Sequence, residues 1–160
     1  MIRVLLLTFA AFAIGAAPAS KPEVLISKGT EISVVSKSTI NSATASASDE
    51  IQFALGASVS AGSATIPKGS LIYGRVIEVQ KSSAESKGSK VVVMFDFLLV
   101  GEKFHPLAAV ITTGATPAGV TVEASRDYVA ASQFASNTGN FKINKGTALK
   151  AKVIQDVTSE

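Results

Sequence analysis

The chain of 160 residues contains no cysteine, no tryptophan and one histidine. Without cysteine it can form no disulfide, no thiolate metal site, no cysteine nucleophile and no lipid-modified cysteine. The single histidine, His105, excludes a metal site assembled from several histidines. We therefore expect neither a bound metal nor a cofactor.

A concentration of charge of one sign is also missing. The sequence has 15 Lys and Arg against 12 Asp and Glu, and its basic residues are spread from Arg3 to Lys152 without a block. Nucleic-acid-binding proteins gather basic residues on one face, so the mild net charge of +3 predicts no nucleic-acid partner. The 47% of hydrophobic residues against 17% of charged residues indicate an ordered chain.

Long hydrophobic runs are confined to the N-terminus. Arg3 is followed by the 14 residues 4–17 without a charge, and Ala17-Pro18-Ala19 fits the small-x-small pattern of signal peptidase cleavage. A membrane anchor would need about 20 apolar residues, so we expect residues 1–19 to be a cleaved signal peptide. No later run is as long, which predicts a single exported domain at residues 20–160 without a transmembrane segment.

The expected location follows from export and from two absences. No asparagine has Ser or Thr two positions further on, so the chain has no N-glycosylation acceptor. Together with the absence of cysteine, this favours a bacterial envelope. We expect the protein in the periplasm or at the outer membrane, with secretion as the alternative.

The dominant hydrophobic period of the sequence is two, which is typical of strands with one buried face. Alternation is clear in residues 31–34, 71–79 and 148–157. Residues 91–100 and 107–112 are almost continuously apolar, as expected of strands covered on both faces or lining a barrel, and Gly101 lies between them at a predicted hairpin turn. The sequence therefore predicts a mainly β fold, a small antiparallel β-barrel that is closed or partly open.

Two segments depart from this pattern. Arg126 to Ser136 is predicted to be the one short helix, because Ser125 is a suitable N-cap and small or apolar side chains recur on one helical face. Residues 36–48 carry Ser or Thr at seven of thirteen positions, which predicts an exposed loop or a loosely held edge strand. We expect one of these segments, the helix by preference, to close the barrel and to be covered or displaced by a partner.

A seven-residue pattern, Ile-x-Lys-Gly, then Ser or Thr, any residue, and Ile or Leu, occurs three times, starting at Ile26, Ile66 and Ile143. We interpret each copy as an apolar anchor, a tight turn with an exposed lysine, and the start of a strand. In the central copy we place Pro67 at i+1 and Gly69 at i+3 of a type I turn. The alternative, a functional lysine or phosphate site, would need a longer glycine-rich loop followed by a helix.

The central copy and the segments after it resemble a known family. Residues 64–76, ATIPKGSLIYGRV, are followed by a polar loop and by the apolar run VVVMFDFL of residues 91–98. This order resembles the C-terminal β-barrel domain of the VirB10/TrbI-like proteins of bacterial type IV secretion and conjugation systems. Residues 28–32 also resemble that family's first barrel strand, and the resemblance extends from about residue 25 to residue 110.

The resemblance implies a small, mostly antiparallel β-barrel with scaffold or assembly contacts in the envelope, through a protein partner or self-association. Full members of the family also carry a cytoplasmic tail, an inner-membrane helix, a proline-rich periplasmic stretch and a helical insertion that reaches the outer membrane. None of these is expected here. We therefore interpret the chain as a short stand-alone exported relative of the barrel, without the family's energy-transducing role.

The sequence predicts no catalytic residue. It has no Gly-x-Ser-x-Gly elbow, and Asp49 and Glu50 are expected to turn a loop into a strand at residues 51–55 rather than to cleave a glycosidic bond. His105 is interpreted as a surface or strand-edge histidine, not a general base. Asp96 interrupts an apolar strand and is predicted to lie outward, at the barrel mouth or against backbone amides, with a ligand contact as the alternative.

Three classes of function are weighed on this basis. The leading expectation is a non-catalytic scaffold or binding protein of the envelope, and not an enzyme. The first alternative is a secreted carbohydrate-binding or adhesive β-domain. The scarcity of aromatic residues disfavours it, since of 2 Tyr and 8 Phe two Phe lie in the predicted signal peptide. A small hydrolase is less favoured still.

Overall fold

The computed structural model describes residues 21–61 and 64–159. The predicted signal peptide, residues 1–19, lies outside the described residues. The described residues form strands and turns, and none of them belongs to a helix that could cross a membrane. The prediction of a mainly β fold is confirmed.

The described part of the chain contains strands of two to twelve residues. They are β1 (Val24–Ile26), β2 (Glu31–Ser36), β3 (Ile40–Asn41), β4 (Glu50–Leu55), β5 (Val59–Ala61), β6 (Ala64–Ile66), β7 (Leu71–Gln80), β8 (Ser89–Val100), β9 (Lys103–Pro106), β10 (Ala109–Gly114), β11 (Val120–Ala124), β12 (Ala131–Ser136), β13 (Lys142–Ile143), β14 (Ala148–Val153) and β15 (Val157–Thr158).

Most of the longer strands join one antiparallel sheet. Its order is β10-β14-β2-β4-β7-β8-β12-β11, and β9 also pairs with β8. The two outer strands, β10 and β11, lie side by side, so the sheet curls into a nearly closed barrel, as the sequence predicted. At the seam the backbone N–H of Ile111 donates a hydrogen bond to Ser132 Oγ at 2.7 Å, which ties β10 to β12.

The interior of the barrel is filled by the inward-facing side chains of its strands. Buried and more exposed residues alternate along β2 and β14, in agreement with the period of two. Phe53 of β4 and Phe95 of β8 meet edge to face inside, with ring centroids 5.0 Å apart and planes at 83°. Burial of side chains of this size stabilises the fold by about 1.5–3 kcal/mol each.

Three two-stranded pairs cover the ends of the barrel. β1 pairs with β15 and β5 with β6, and these pairs contact each other at the end where β2 and β7 begin. β3 pairs with β13 at the opposite end, where β2 ends and β14 begins. The covering strands β1, β6 and β13 each lead through a short turn into a barrel strand.

These three turns are the three copies of the sequence repeat. In each copy the first isoleucine ends a covering strand and is at most 1% exposed, whereas the lysine is exposed. The glycine has a positive φ in every copy: 89° at Gly29, 89° at Gly69 and 92° at Gly146. Residues with a Cβ rarely adopt this conformation, so the glycine of the pattern is a backbone requirement.

The central turn is type II and not type I. The N–H of Ser70 donates to the carbonyl of Pro67 at 3.2 Å, so Pro67 is the first residue of the turn and Gly69 the third. A positive φ at the third position is the mark of a type II turn. The predicted turn type is therefore wrong, and the predicted positions of both residues are wrong by one.

Two backbone hydrogen bonds fasten each turn to the end of a neighbouring strand. The N–H of Gly29 donates to the carbonyl of Val153 at 2.7 Å, and the N–H of Val153 donates to the carbonyl of Thr30 at 2.9 Å. Leu55 holds the central turn and Ser36 the third turn in the same way. Val153, at the end of β14, therefore holds the turn that begins β2. Ser36, at the end of β2, holds the turn that begins β14.

The predicted helix at Arg126 to Ser136 is wrong. Residues 125–130 form a loop, and Ala131–Ser136 is β12, which pairs with β8 on one side and β11 on the other. The even-numbered residues of β12 are all buried. A short run of small and apolar residues fits either period, and here the two neighbouring strands decide the outcome.

Residues 36–48 are held more firmly than expected. The segment contains β3, and Ser36, Ile40, Ser42 and Ala45 are buried. Ser42 Oγ accepts a hydrogen bond from the N–H of Phe141 at 2.8 Å. The segment therefore covers one end of the barrel and is not a loose edge.

We predict that Gly69→Ala lowers the free energy of unfolding by about 1–2 kcal/mol, the usual cost of a left-handed conformation for a residue with a Cβ. Apart from the adjoining residues, no heavy atom lies within 4 Å of the added Cβ, so the loss comes from backbone strain. Lys68→Ala in the same turn should change stability by less than about 0.5 kcal/mol. Urea denaturation measures both changes, and equal losses would contradict this account of the turn.

Amide hydrogen exchange tests strand β12. We expect its amides to exchange as slowly as those of β8, because β12 is bonded on both sides and Phe134 is completely buried. The amides of residues 126–129 in the preceding loop should exchange far faster. Fast exchange throughout residues 126–136 would show that β12 is not stably paired.

Candidate binding groove

The long hairpin of β7 and β8 contains a β-bulge. Its register shifts between Tyr73 and Gly74, which leaves Asp96 as the extra residue of β8. A Cβ on Gly74 would clash with the carbonyl oxygen of Met94, so glycine is required at this position. Bulges redirect side chains, and this one places Asp96, within an otherwise apolar run, on the outer wall of the barrel.

Asp96 forms an ion pair with Arg75. Its Oδ1 lies 3.3 Å from Arg75 Nη1, and the two side chains are 18% and 49% exposed. A guanidinium has several N–H donors, so the half-exposed Arg75 keeps donors for a further partner. Of the positions predicted for Asp96, the structure shows the outward one, with Arg75 as the partner that the sequence did not reveal.

Three aromatic rings lie close to this ion pair. The ring centroids of Tyr73 and Phe104 are 5.7 Å apart with planes at 60°, and those of Phe97 and Phe104 are 6.2 Å apart at 78°. Phe97 is 44% exposed and Phe104 is 57% exposed. A single exposed ring is ordinary, but a cluster of them is typical of a binding surface.

A groove of about 440 Å³ connects these features. Its walls include the three rings, the Arg75–Asp96 pair, Glu50 and Ser48, while Gly74 adds no side chain. The volume lies within the range of about 300–1,000 Å³ that is common for small-ligand sites. Glu50 makes no ion pair with any described residue, so its carboxylate can accept hydrogen bonds from a ligand.

Backbone strain flanks the bulge. Ser48, in the groove wall, has φ 75° and donates its N–H to the carbonyl of Val76 at 2.8 Å. Ala130, with φ 59°, lines a second groove of about 360 Å³ that also includes Asp96. Such conformations cost about 1–3 kcal/mol and tend to occur at functional sites. Both grooves that meet at Asp96 therefore contain a strained residue.

Other residues singled out in the sequence have structural roles. His105 lies on β9 at a strand edge, as predicted, but is buried, and its Nδ1–H donates to the carbonyl of Thr158 at 2.9 Å. Asp49 Oδ2 accepts a hydrogen bond from the N–H of Ser46 at 2.8 Å just before β4, which confirms the predicted turn. Within residues 21–61 and 64–159, no three His, Asp or Glu side chains cluster as a metal site.

The loop of residues 125–130 projects an apolar side chain from the barrel. Val129 is 87% exposed and Tyr128 is 41% exposed. The Tyr128 hydroxyl is hydrogen-bonded to Glu78, whose carboxylate lies 2.5 Å from Lys90 Nζ. Because Glu78 belongs to β7 and Lys90 to β8, the loop is tied to the wall of the barrel beside its exposed tip.

The charges of this cluster stabilise one another. The hydrogen bond from Lys90 holds the pKa of Glu78 below its ordinary value, and the same bond raises the pKa of Lys90. The charge of Glu78 raises the pKa of the Tyr128 hydroxyl. Tyr128 therefore stays protonated and donates its hydrogen bond across the neutral pH range.

Comparison of the chain with known protein families finds no family model that matches it, and comparison with curated proteins finds no match. The resemblance of residues 25–110 to the VirB10/TrbI-like barrel therefore stays a hypothesis. The groove and the loop at Val129 have to be interpreted from their own geometry.

Glu78→Gln should lower the free energy of unfolding at neutral pH by up to about 1 kcal/mol, the upper range for partly exposed ion pairs. Because folding lowers the pKa of Glu78, its contribution is complete above the ordinary value of 4.5 and is lost as the pH falls through the folded-state pKa. The contribution of Lys90 is complete below the ordinary value of 10.5 and is lost as the pH rises through its raised pKa.

Denaturant unfolding of the wild type and the variant at neutral pH and in strong acid measures this effect. The two stabilities should converge in acid, where both states of Glu78 are protonated. A difference that is independent of pH would mean that the variant acts through packing and not through the charge of Glu78.

Proposed function

We propose that the chain is a non-catalytic scaffold or binding protein of the bacterial envelope, exported by residues 1–19 and placed in the periplasm or at the outer membrane. It would be a short stand-alone relative of the VirB10/TrbI-like barrel. Its partner is an envelope protein or a second copy of the chain. The observation that carries the proposal is the nearly closed antiparallel barrel, from whose wall the loop with the 87% exposed Val129 projects.

Three features of the fold support the resemblance. The Pro67–Gly69 turn starts β7, β7 and β8 form the longest hairpin, and Gly101, with φ 62°, turns β8 into β9. They occur in a nearly closed antiparallel barrel. This is the order that the family resemblance leads one to expect, and a rigid barrel suits a scaffold because it holds its loops in fixed positions.

The loop at Val129 has the properties of a protein contact. Covering an exposed apolar side chain is favourable by about 25 cal/mol for each Å² removed from water. The Tyr128–Glu78 hydrogen bond ties the loop to β7, so the apolar tip is presented beside the barrel wall. Arg126 and Asp127 add charged groups beside the apolar tip, as at the polar rim of an interface.

The environment of His105 supports the non-catalytic part of the proposal. The Nδ1–H bond to the carbonyl of Thr158 leaves Nε2 as the basic nitrogen, but the imidazole is only 4% exposed, so a substrate has little access to it. A general base needs its ring nitrogen within hydrogen-bond reach of the group it deprotonates. Among the described residues, no serine or threonine hydroxyl is bonded to this imidazole.

Photo-crosslinking in bacteria that make the full chain tests the contact. A benzophenone amino acid in place of Val129 should give one discrete adduct, with a second copy of the chain or with one envelope protein, identified by mass spectrometry. The same amino acid in place of Val24, another exposed valine, is the matched control and should give no adduct.

Two outcomes would contradict the proposal. Equal adducts at both positions, or none at position 129, would remove the loop as a contact. Recovery of the chain in the cytoplasmic fraction would remove the proposed location.

A further inference from the structure

The groove on the wall of β7, β8 and β9 brings three kinds of chemical group together. Tyr73, Phe97 and Phe104 offer apolar ring surface. The half-exposed Arg75 offers N–H donors, and Glu50 offers a carboxylate without an ion-pair partner among the described residues. Ser48 adds a hydroxyl that can donate and accept.

The combination of aromatic rings, N–H donors and carboxylates favours one class of ligand over others. An anion would be repelled by the carboxylates of Glu50 and Asp96. A cation would be attracted by Glu50 but could accept no hydrogen bond from the N–H donors of Arg75, which it would leave without a partner. A wholly apolar ligand would displace water from the donors and acceptors and leave them without partners. The ligand that fits is uncharged and has both an apolar face and hydrogen-bonding groups around it.

A sugar ring has this combination. One face of the ring presents C–H groups that can pack on an aromatic side chain, and its hydroxyls both donate and accept hydrogen bonds. The rings of the groove lie next to the polar groups, so one sugar residue could contact both. We propose that the groove binds a neutral oligosaccharide.

The construction of the groove favours binding. The three rings stand on paired strands, and the glycine that the close Met94 carbonyl requires at position 74 adds no side chain to the groove. A site that is already in place loses little conformational entropy when the ligand binds. This inference does not rest on the proposed function, since the groove and the loop of residues 125–130 share no residue.

Titration of the isotope-labelled full chain, followed by nuclear magnetic resonance, tests the inference. The probes are neutral trisaccharides of glucose, mannose, galactose and N-acetylglucosamine, and an apolar tripeptide of alanine and phenylalanine as a protein-like probe. We expect at least one trisaccharide to shift the amide resonances of Tyr73, Arg75 and Phe97 saturably, and the tripeptide to leave them unchanged.

A matched pair of variants places the binding in the groove. Phe104→Ser removes a ring that is 57% exposed, so the fold should persist while sugar binding weakens by about tenfold, as for the loss of one stacked ring. Tyr128→Ser removes a 41% exposed ring outside the groove and should bind the sugar as the wild type does.

Three results would overturn the inference. The first is the absence of a saturable shift with every trisaccharide, at concentrations that would saturate a site of millimolar affinity. The second is saturable binding of the tripeptide alone, which would make the groove a protein contact. The third is equal weakening in Phe104→Ser and Tyr128→Ser, which would place the binding elsewhere.

Discussion

Paired backbone hydrogen bonds hold the barrel in shape at its three glycine corners, which are the turns at Gly29, Gly69 and Gly146. Each corner turns a covering strand into a barrel strand, and it needs a φ near 90° that glycine adopts without strain. The last residue of a neighbouring strand both accepts from the turn and donates to it, so a corner forms only where the two barrel strands are in register. β2 and β14 depend on each other in this way at both of their ends. A chain without cysteine thus fixes the two ends of a barrel through backbone hydrogen bonds.

The bulge in β8 places Asp96 on the outer wall because the strands around it are held in register. β7 is held at its start by the central corner, and β8 is bonded to β7 on one edge and to β12 and β9 on the other. An extra residue in β8 is therefore absorbed locally, because a slip of the whole strand would turn its buried side chains outward. Gly74 admits the close approach of the Met94 carbonyl, and Asp96 turns towards Arg75. A carboxylate that would be costly in the core thereby becomes part of a surface groove.

The features that could be predicted from the sequence are those with local signals. Alternation and long apolar runs place β2, β7 and β8, and glycine marks the corners and the turn at Gly101. The strand that returns from Gly101 is β9, whereas the apolar run expected there belongs to β10 and pairs with β14. Two errors arise where the signal is not local. Residues 131–136 are too short a run to separate the strand period from the helix period, and only their pairing with β8 and β11 decides between them. Proline suits more than one position of a turn, so the register of the turn at Pro67 depends on the hydrogen bond to its carbonyl.

The groove could not be predicted from the sequence. The low aromatic content disfavoured a sugar site, yet three of the few aromatic rings meet on one wall of the barrel. Tyr73 and Phe97 are cross-strand partners, and Phe104 reaches them because the Gly101 hairpin folds β9 back along β8. This convergence depends on the register that the bulge at Asp96 sets, which no count of residues contains. Burying a phenylalanine would stabilise the core by about 1.5–3 kcal/mol. Phe97 and Phe104 are exposed side by side, so neither contributes this stabilisation to the core. In a chain with few aromatic residues, this is an argument that the wall is a binding surface.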